Sequence, residues 1–189
     1  MIIAIEGHDG VGKTTLAKFL AAKLGYNYVK HQMKDILGID DAKCFEMLKK
    51  VIDYGDEKIT AWFLSFNDIC ALRMNQSAVL DRHSLLNYYW NGNEGTEEIF
   101  RVSQEIFGRP DLTILLTASR EVRAERIRKR DGNDADLHNE EILGAKNDKL
   151  VEYMKNYGLR FVIIDTSGLD EAEVADFALY EVCGKTAQF

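Results

Sequence analysis

The chain has 189 residues, of which 46% are hydrophobic, and this composition predicts one folded domain over residues 1–189 with a substantial core. A formal net charge of −7 argues against broad binding to nucleic acids or to anionic membranes. The apolar run before Glu6 is too short for a signal peptide or a membrane span, so we expect a cytoplasmic protein.

Short β-rich apolar segments alternate with longer helical patterns along the chain. Strands are predicted for MIIAI from Met1, YNYVKH from Tyr26, SAVLD from Ser77, LTILLT from Leu112 and LRFVIID from Leu159. One helix is predicted after the first strand, ending at Gly25, and others near 40–53, 57–75, 96–107, 119–130, 139–157 and 170–182. This alternation predicts an α/β fold, a three-layer sandwich in which a five-stranded parallel sheet carries helices on both faces. Ligands of such sheets bind at the carboxyl ends of the strands.

A glycine-rich loop, EGHDGVGKTT from Glu6, follows the first predicted strand. It contains the Walker A pattern of P-loop NTPases, in which backbone N–H groups and a lysine surround nucleotide phosphates. The strand before it and the helix after it are the context that the motif requires, whereas a plain glycine turn leaves the spacing unexplained. Within the loop, Lys13 is expected to neutralise the transferring phosphoryl group and Thr14 to bind Mg²⁺. The predicted ATP-binding residues are Gly7, Gly10, Val11, Gly12, Lys13, Thr14 and Thr15.

Asp81 ends the third predicted strand, and Arg82 follows it at the same sheet edge as the P-loop. We predict that Asp81 binds Mg²⁺ or accepts a proton, and that Arg82 binds a phosphate of the acceptor. A surface ion pair is the alternative for an Asp-Arg pair taken in isolation. The position at a strand end beside a P-loop favours the catalytic interpretation.

The stretch SREVRAERIRKR from Ser119 is the most basic part of the chain. Ser119 is predicted to cap a helix on which Arg123, Arg126 and Arg130 share one face. The polar segment DGNDADLHN follows this helix and lacks apolar anchors. We therefore predict a mobile lid near residues 126–140 that brings Arg126 and Arg130 to the transferring phosphate as catalytic residues. A merely solvated helical face is the alternative.

Four separated stretches together resemble the thymidylate kinase family of P-loop nucleoside monophosphate kinases, over nearly the whole chain. These stretches are IEGHDGVGKTTLAKFLA, SAVLDRH, RPDLTILLTASREVRAERIRKR and FVIIDTSGLDEAEVADF. The resemblance implies ATP and Mg²⁺ as cofactors, a nucleotide as the second substrate and a homodimer. For the dimer, the sequence itself offers only the apolar helix near 57–75, whose Trp62, Phe63, Phe66 and Ile69 could equally form core.

The resemblance also implies roles for single residues around the acceptor. It assigns Asp9 to the acceptor sugar hydroxyl, Arg82 to the acceptor phosphate and Phe63 to stacking on the base, although Phe63 also suits a core position. The two predicted lid arginines match those of the family. Because Gly10 stands where some members have an arginine, the chain resembles the subgroup whose catalytic arginine comes from the lid.

The predicted acceptor pocket departs from the family's pattern. Asn67 stands where the family usually has an arginine, Trp90 replaces another aromatic residue and Asn91 replaces a glutamine. His83 replaces the usual tyrosine, and KHQMKDILG replaces the family's Arg-Glu-Pro-Gly-Gly segment. Exchanging arginine for Asn67 replaces a fixed cation by a neutral amide and changes the hydrogen bonds that the pocket can make. The predicted acceptor contacts are Asp9, Phe63, Asn67, Arg82, Trp90 and Asn91.

Three functions follow from these features. The leading one is ATP-dependent phosphoryl transfer to a pyrimidine deoxynucleoside monophosphate, with dTMP to dTDP first. The alternative is a kinase that phosphorylates a hydroxyl of a deoxynucleoside or modified nucleotide, with Asp81 or another acid as general base. A nucleotide-operated regulatory protein is disfavoured, because the sequence has neither Asp-x-x-Gly after a predicted strand nor the guanine-binding pattern Asn-Lys-x-Asp.

Overall fold

The computed structural model of the chain describes residues 1–184 and contains a parallel sheet of five strands. The strands are β1 (Ile2–Glu6), β2 (Asn27–Val29), β3 (Ala78–Asp81), β4 (Leu112–Thr117) and β5 (Phe161–Asp165). Their order across the sheet is β2-β3-β1-β4-β5, and every neighbouring pair is parallel. The predicted α/β fold with a five-stranded parallel sheet is confirmed.

Helices connect the strands and cover the sheet. They are α1 (Lys13–Leu24), α2 (Met33–Leu37), α3 (Asp41–Tyr54), α4 (Glu57–Met74), α5 (Ser84–Asn91), α6 (Glu97–Val102), α7 (Arg120–Arg130), α8 (Glu140–Leu143), α9 (Asp148–Asn156) and α10 (Glu171–Cys183). A π-helical turn (Ser103–Phe107) continues α6, and a 3₁₀ turn (Ala135–His138) lies between α7 and α8. Within residues 1–184, no helix is both long and apolar enough to cross a membrane.

Alternate residues of β1 face opposite sides of the sheet, as the two-residue repeat of a strand requires. Ile3 and Ile5 pack with residues of α1 and α10, whereas Ile2 and Ala4 pack with Ala71 of α4. On the α4 side, residues of α5, α6 and α9 join a further cluster around Leu115 of β4. Each large apolar side chain buried in this way contributes about 1.5–3 kcal/mol. The two layers hold the carboxyl ends of the strands at one common edge.

Local sequence signals placed several helix ends correctly. α1 ends at Gly25, which adopts the left-handed conformation with φ of 67°, as predicted. Ser119 caps α7 by accepting a hydrogen bond from Val122 N, which confirms the predicted N-cap. These ends depend on residues adjacent in sequence, and this is why the sequence alone predicted them.

Three helical features differ from the sequence-based expectation. The single helix predicted at 139–157 is wrong, because α8 ends at Gly144 and α9 begins only at Asp148. The segment between them is drawn to the P-loop, where the ring of His8 contacts the backbone oxygen of Lys146 at 3.2 Å. The sequence pattern also did not predict α2 and α5, both of which are short and depend on contacts with distant residues.

Candidate active site

The P-loop joins β1 to α1 and packs tightly against its surroundings. Gly7, Gly10 and Gly12 have φ of 132°, 85° and 97°, which favour glycine. A Cβ on Gly7 would lie 2.2 Å from Leu116 O, and a Cβ on Gly10 would lie 2.8 Å from Arg123 O. The loop therefore leaves space for a side chain at neither position.

Helix α1 begins directly at the end of this loop. Among the described residues, no side chain caps its first turn, so the backbone N–H groups there are available to an anion. The charge of the helix dipole at this end also favours phosphate. The predicted nucleotide-binding residues of the loop are thus placed together around an anion-binding helix terminus.

Lys13 is the buried cation of the P-loop, with only 5% of its surface exposed. Its Nζ donates to His8 O at 2.7 Å and lies 3.6 Å from Asp9 Oδ1. Burial, followed by the positive charge of Arg82, lowers the pKa of Lys13 to about 7. A phosphate beside this amine would favour its charged form, which is the form that stabilises a transferring phosphoryl group.

Asp81 connects the P-loop to the ends of β2 and β3. Its Oδ2 accepts hydrogen bonds from Thr14 Oγ1 at 2.7 Å and from Tyr28 OH at 2.8 Å. Lys30 Nζ lies 3.8 Å from the same oxygen. The other oxygen, Oδ1, is buried and has no hydrogen-bond partner within residues 1–184. The structure therefore brings the two predicted magnesium ligands, Thr14 and Asp81, into contact.

This pair of oxygen groups fits a magnesium ion. Mg²⁺ prefers hard oxygen ligands and commonly takes one or two from the protein, with the rest from phosphates and water. The unpartnered Asp81 Oδ1 is an oxygen of that kind. In the described part of the chain there is no cluster of three or more His, Cys, Asp or Glu side chains that could hold a metal by itself. The donor set thus suits a metal shared with nucleotide phosphates.

Asp9 of the P-loop forms an ion pair with Arg82, which follows β3. Arg82 Nη2 donates to Asp9 Oδ1. Although burial alone would raise the pKa of Asp9, the charges of Arg82 and Lys13 lower it below its ordinary value. Arg82 has a φ of 80° and is the one non-glycine residue of 1–184 with a positive φ. Backbone strain of this kind clusters at functional sites.

The three arginines predicted to share one face of α7 have different contacts. Arg123 is buried and donates to Asp9 O at 2.8 Å and to Ile142 O at 2.8 Å, so it ties the P-loop to α8. Arg126 donates to Thr166 Oγ1 at 2.8 Å and to Thr166 O at 2.7 Å. The predicted lid segment begins at this point.

Arg126 and Arg130 line a cleft of about 1100 Å³ between the P-loop, α7 and the segment after β5. Arg130 pairs with Asp134 of the predicted lid. The volume suits a nucleotide-sized ligand. Further cationic and apolar side chains line the same cleft, namely Lys13, Lys30, Arg82, Lys129, Phe19 and Leu169.

The other predicted acceptor residues on α4 lie apart from this cleft. Phe63 packs against the buried cluster of Met33, Cys44 and Cys70, which joins α2, α3 and α4. Asn67 Oδ1 accepts a hydrogen bond from Met33 N at 3.3 Å. In this conformation both side chains therefore bind α2 to α4.

The predicted acceptor residues on α5 have local contacts. Trp90 is 42% exposed and meets Tyr89 edge to face, with ring centroids 4.8 Å apart. Asn91 Nδ2 donates to Asn87 Oδ1 at 3.0 Å, one turn earlier on the same helix. Of the predicted acceptor residues, only Asp9 and Arg82 are brought together with the P-loop lysine.

Sequence reasoning missed Glu6, Tyr28 and Lys30, which all contact the site. Lys30 directly follows β2, and the rule that parallel strands end at a common edge could have placed it beside Asp81. Tyr28 lies within a predicted strand, where nothing marks it as a site residue. The role of the Glu6 carboxylate was not predictable either, because it accepts hydrogen bonds from His83 N and Leu85 N far along the chain.

Residues 3–147 match the sequence model of the AAA_18 family, described as an AAA domain. The chain belongs to this family of P-loop kinases. It is therefore a nucleotide-binding protein of the nucleoside or nucleotide kinase class, and the family implies that it uses ATP.

Two archaeal relatives carry different names. The chain is 32% identical over 140 residues to a protein of Archaeoglobus fulgidus named "Probable thymidylate kinase", covering 69% of this chain and 70% of that protein. It is 27% identical over 176 residues to a protein of Thermococcus kodakarensis named "Putative adenylate kinase", covering 93% of this chain and 82% of that protein.

Solved structures include a similar fold. The structure of deoxyadenosine kinase from M. mycoides with bound dCTP has a TM-score of 0.66 and 22% identity, covering 97% of this chain and 99% of that chain. At this identity the likeness shows the fold alone.

Proposed function

We propose that the protein transfers the γ-phosphoryl group of ATP to the phosphate of a pyrimidine deoxynucleoside monophosphate, converting dTMP to dTDP. The observation that carries this proposal is the pair of cations, Lys30 and Arg82, that line the cleft beside the P-loop, with Lys30 Nζ 3.8 Å from Asp81 Oδ2. An acceptor phosphate brings negative charge to this place, and two cations beside it supply charge-assisted hydrogen bonds.

The carboxylates of the site support a phosphate acceptor over a hydroxyl acceptor. A hydroxyl acceptor needs a general base within hydrogen-bond reach. Asp9 pairs with Arg82, and Asp81 Oδ2 accepts from Thr14 and Tyr28. Asp81 Oδ1 has no hydrogen-bond partner within residues 1–184, and in our proposal it serves the metal.

Each residue then has a defined part in the transfer. Backbone N–H groups of the P-loop and of α1 bind the phosphates of ATP, and Lys13 neutralises the group in flight. Thr14 and Asp81 would hold Mg²⁺, which neutralises charge on the phosphate oxygens when bound. Arg82 orients the acceptor phosphate, and Arg126 or Arg130 stabilises the charge that develops during transfer.

The pyrimidine choice draws on the relatives named as thymidylate kinases, including the A. fulgidus protein. We propose that Phe63 stacks on the acceptor base and that Asn67 donates to or accepts from its edge. Trp90 and Asn91 would contact the acceptor base from the other side of the pocket. For this to happen Met33 must leave the α4 surface, because Met33 N occupies Asn67 Oδ1 in the described conformation.

Phosphorylation of a deoxynucleoside hydroxyl is the second candidate. Two features favour it. The fold is similar to that of deoxyadenosine kinase, and Asn67 stands where the thymidylate kinase family usually has an arginine. In that case Asp81 Oδ1 would act as the general base instead of serving the metal. A nucleotide-operated regulatory role stands third.

We further propose one kinase domain with a lid near residues 126–140 that acts as a homodimer. The apolar surface of α3 and α4 would form the contact between subunits. These two helices expose the large apolar side chains of Phe45, Ile52, Trp62 and Phe66, which a contact between subunits would bury.

Transfer of label from γ-³²P-ATP tests the acceptor chemistry directly. The protein is incubated with Mg²⁺ and either dTMP or thymidine, and the products are separated by chromatography. The proposal expects labelled dTDP from dTMP and little labelled dTMP from thymidine. Labelled dTMP as the main product would favour the hydroxyl kinase, and labelled inorganic phosphate in both reactions would favour the regulatory role.

A further inference from the structure

Glu6 is a buried carboxylate at the carboxyl end of β1, with 1% of its surface exposed. Its Oε1 accepts one hydrogen bond from His83 N at 2.9 Å and another from Leu85 N at 3.1 Å. His83 N belongs to the turn that leads from β3 into α5, and Leu85 N belongs to the first turn of α5. The side chain therefore caps α5 from a distant strand, although the two segments are more than 70 residues apart.

The turn that Glu6 holds contains Arg82. The φ of 80° at Arg82 lies in the left-handed region, which non-glycine residues rarely adopt. Arg82 N donates to Ile5 O at 3.1 Å, and His83 N donates to Glu6 Oε1. Residues of β1 therefore accept hydrogen bonds from the backbone N–H groups just before and just after the Cα of Arg82. A strained backbone persists only where neighbouring contacts fix it. The two hydrogen bonds to Glu6 Oε1 are contacts of this kind.

The backbone at Arg82 decides where its guanidinium points. In the structure Arg82 Nη2 donates to Asp9 Oδ1, and both residues line the same cleft as Lys30. A residue with an ordinary negative φ would direct the side chain elsewhere. The direction of the Arg82 guanidinium group therefore depends on the backbone conformation of this turn.

We infer that Glu6 is a positioning residue for the acceptor, which holds the strained turn so that Arg82 faces the acceptor phosphate. This inference rests on the proposed function, because it takes Arg82 as the acceptor-binding cation. The hydrogen bonds that Glu6 accepts come from backbone groups next to Arg82, so its effect on acceptor binding passes through the position of Arg82. It is expected to act on acceptor use more strongly than on ATP use.

What Glu6 supplies is one well-placed acceptor oxygen, and a negative charge is not needed for that. Burial raises the pKa of Glu6 to about 7, so the neutral form is accessible in the folded protein. A carbonyl oxygen of an amide accepts the same two hydrogen bonds. Glutamine at this position should therefore preserve both hydrogen bonds, whereas methionine has a similar length but no acceptor oxygen.

Steady-state kinetics of three Glu6 variants test the inference. Glu6→Gln should keep kcat/KM for dTMP within fivefold of the parent protein. Glu6→Met removes the acceptor oxygen, and Glu6→Asp places it too far back to reach both N–H groups. Both should lower kcat/KM for dTMP at least 20-fold while the KM for ATP changes less than threefold.

Asp111→Ala provides the matched control. Asp111 Oδ2 accepts from Ile2 N at 2.6 Å, so it is also a carboxylate bonded to a main-chain N–H group, here at the opposite end of β1. Its loss should lower thermal stability and leave kcat/KM for dTMP within twofold. Equal losses in acceptor and ATP use for the Glu6 variants, or a Glu6→Gln loss as large as that of Glu6→Met, would overturn the inference.

A crystal structure keeps the inference separate from the proposed function. If the parent protein shows no acceptor-dependent turnover, the proposed function fails, and the φ of residue 82 in Glu6→Met decides the role of Glu6. We expect this φ to leave the left-handed region in Glu6→Met and to stay there in Glu6→Gln. An unchanged turn in Glu6→Met would contradict the inference. Glu6→Asp takes the place of Glu6→Met in both measurements if Glu6→Met does not fold.

Discussion

Thr14 Oγ1 donates a 2.7 Å hydrogen bond to Asp81 Oδ2, which joins the first turn of α1 to the end of β3 across 67 residues of chain. The contact makes one site of two motifs that are separate in the sequence. It also leaves Asp81 Oδ1 buried and without a hydrogen-bond partner in residues 1–184. In the proposed reaction, donor phosphates, metal and acceptor would converge on this pair of residues.

Replacing the P-loop lysine tests the donor half of the site. Lys13→Ala should reduce phosphoryl transfer about 100-fold or more, because the transferring phosphoryl group loses the positive charge that neutralises it. The fold should persist, as judged by circular dichroism and thermal unfolding. Lys23→Ala, in the last turn of α1, is the control and should turn over normally. Unchanged turnover in Lys13→Ala would refute the assignment of the nucleotide site.

Lys30→Gln tests the cationic surroundings of the acceptor. Loss of one charge-assisted contact is worth about 1.5 kcal/mol, so the KM for dTMP should rise about tenfold. The KM for ATP should stay the same. Lys50→Gln removes an exposed lysine of α3 that pairs with Glu46, and it should change neither constant. A rise in the KM for ATP alone would show that Lys30 serves the donor instead.

The close packing of the P-loop on α7 predicts a steric cost at Gly10. Gly10→Ala would place a Cβ 2.8 Å from Arg123 O at a φ of 85°. Gly55 has a φ of 80° and no atom of the described chain within 4 Å of such a Cβ, so Gly55→Ala carries the backbone strain alone. The free energy of unfolding should fall about 1–3 kcal/mol further in Gly10→Ala than in Gly55→Ala. Urea unfolding measures the free energy of unfolding of both variants. Equal decreases would mean that the P-loop shifts to accommodate the added Cβ without further cost.

His8 makes stability depend on pH in the acid range. Burial lowers the pKa of His8 to about 4 from an ordinary value of 6.5, although its hydrogen bond to Lys146 O opposes this shift. The unfolded chain therefore binds a proton first as the pH falls below 6.5. The stability that the neutral ring provides is complete above 6.5 and is lost as the pH falls towards 4.

His8→Gln should remove this dependence. Between pH 7 and pH 4 the variant should lose up to about 3 kcal/mol less of its unfolding free energy than the parent protein. Urea unfolding at pH 7, 5.5 and 4 gives the comparison. Parallel loss of stability in the two proteins would show that His8 titrates normally in the folded state.

Features of the fold that depend on neighbouring residues were predictable from the sequence. The glycine spacing of the P-loop, the Ser119 cap and the stop at Gly25 are signals of this kind. The sheet followed from the alternation of strand and helix patterns. Parallel strands then placed Asp81 at the P-loop edge, where the structure has it.

Features that depend on distant contacts were not predictable. The start of α5 is fixed by Glu6 Oε1, and nothing in the sequence near Ser84 records that bond. The short helix α2 lies over Phe63 and Asn67 because Met33 enters an apolar cluster, and five residues are too few for a helical repeat. The acceptor surface was thus the least predictable part of the site.

ADP release from ATP and Mg²⁺ can be measured across a panel of nucleoside monophosphates and nucleosides, each beside a reaction without acceptor. This measurement tests phosphoryl transfer to dTMP. We expect turnover that requires a monophosphate and is highest with dTMP. A preference for thymidine or another nucleoside, or a rate that is the same without any acceptor, would contradict the proposed function.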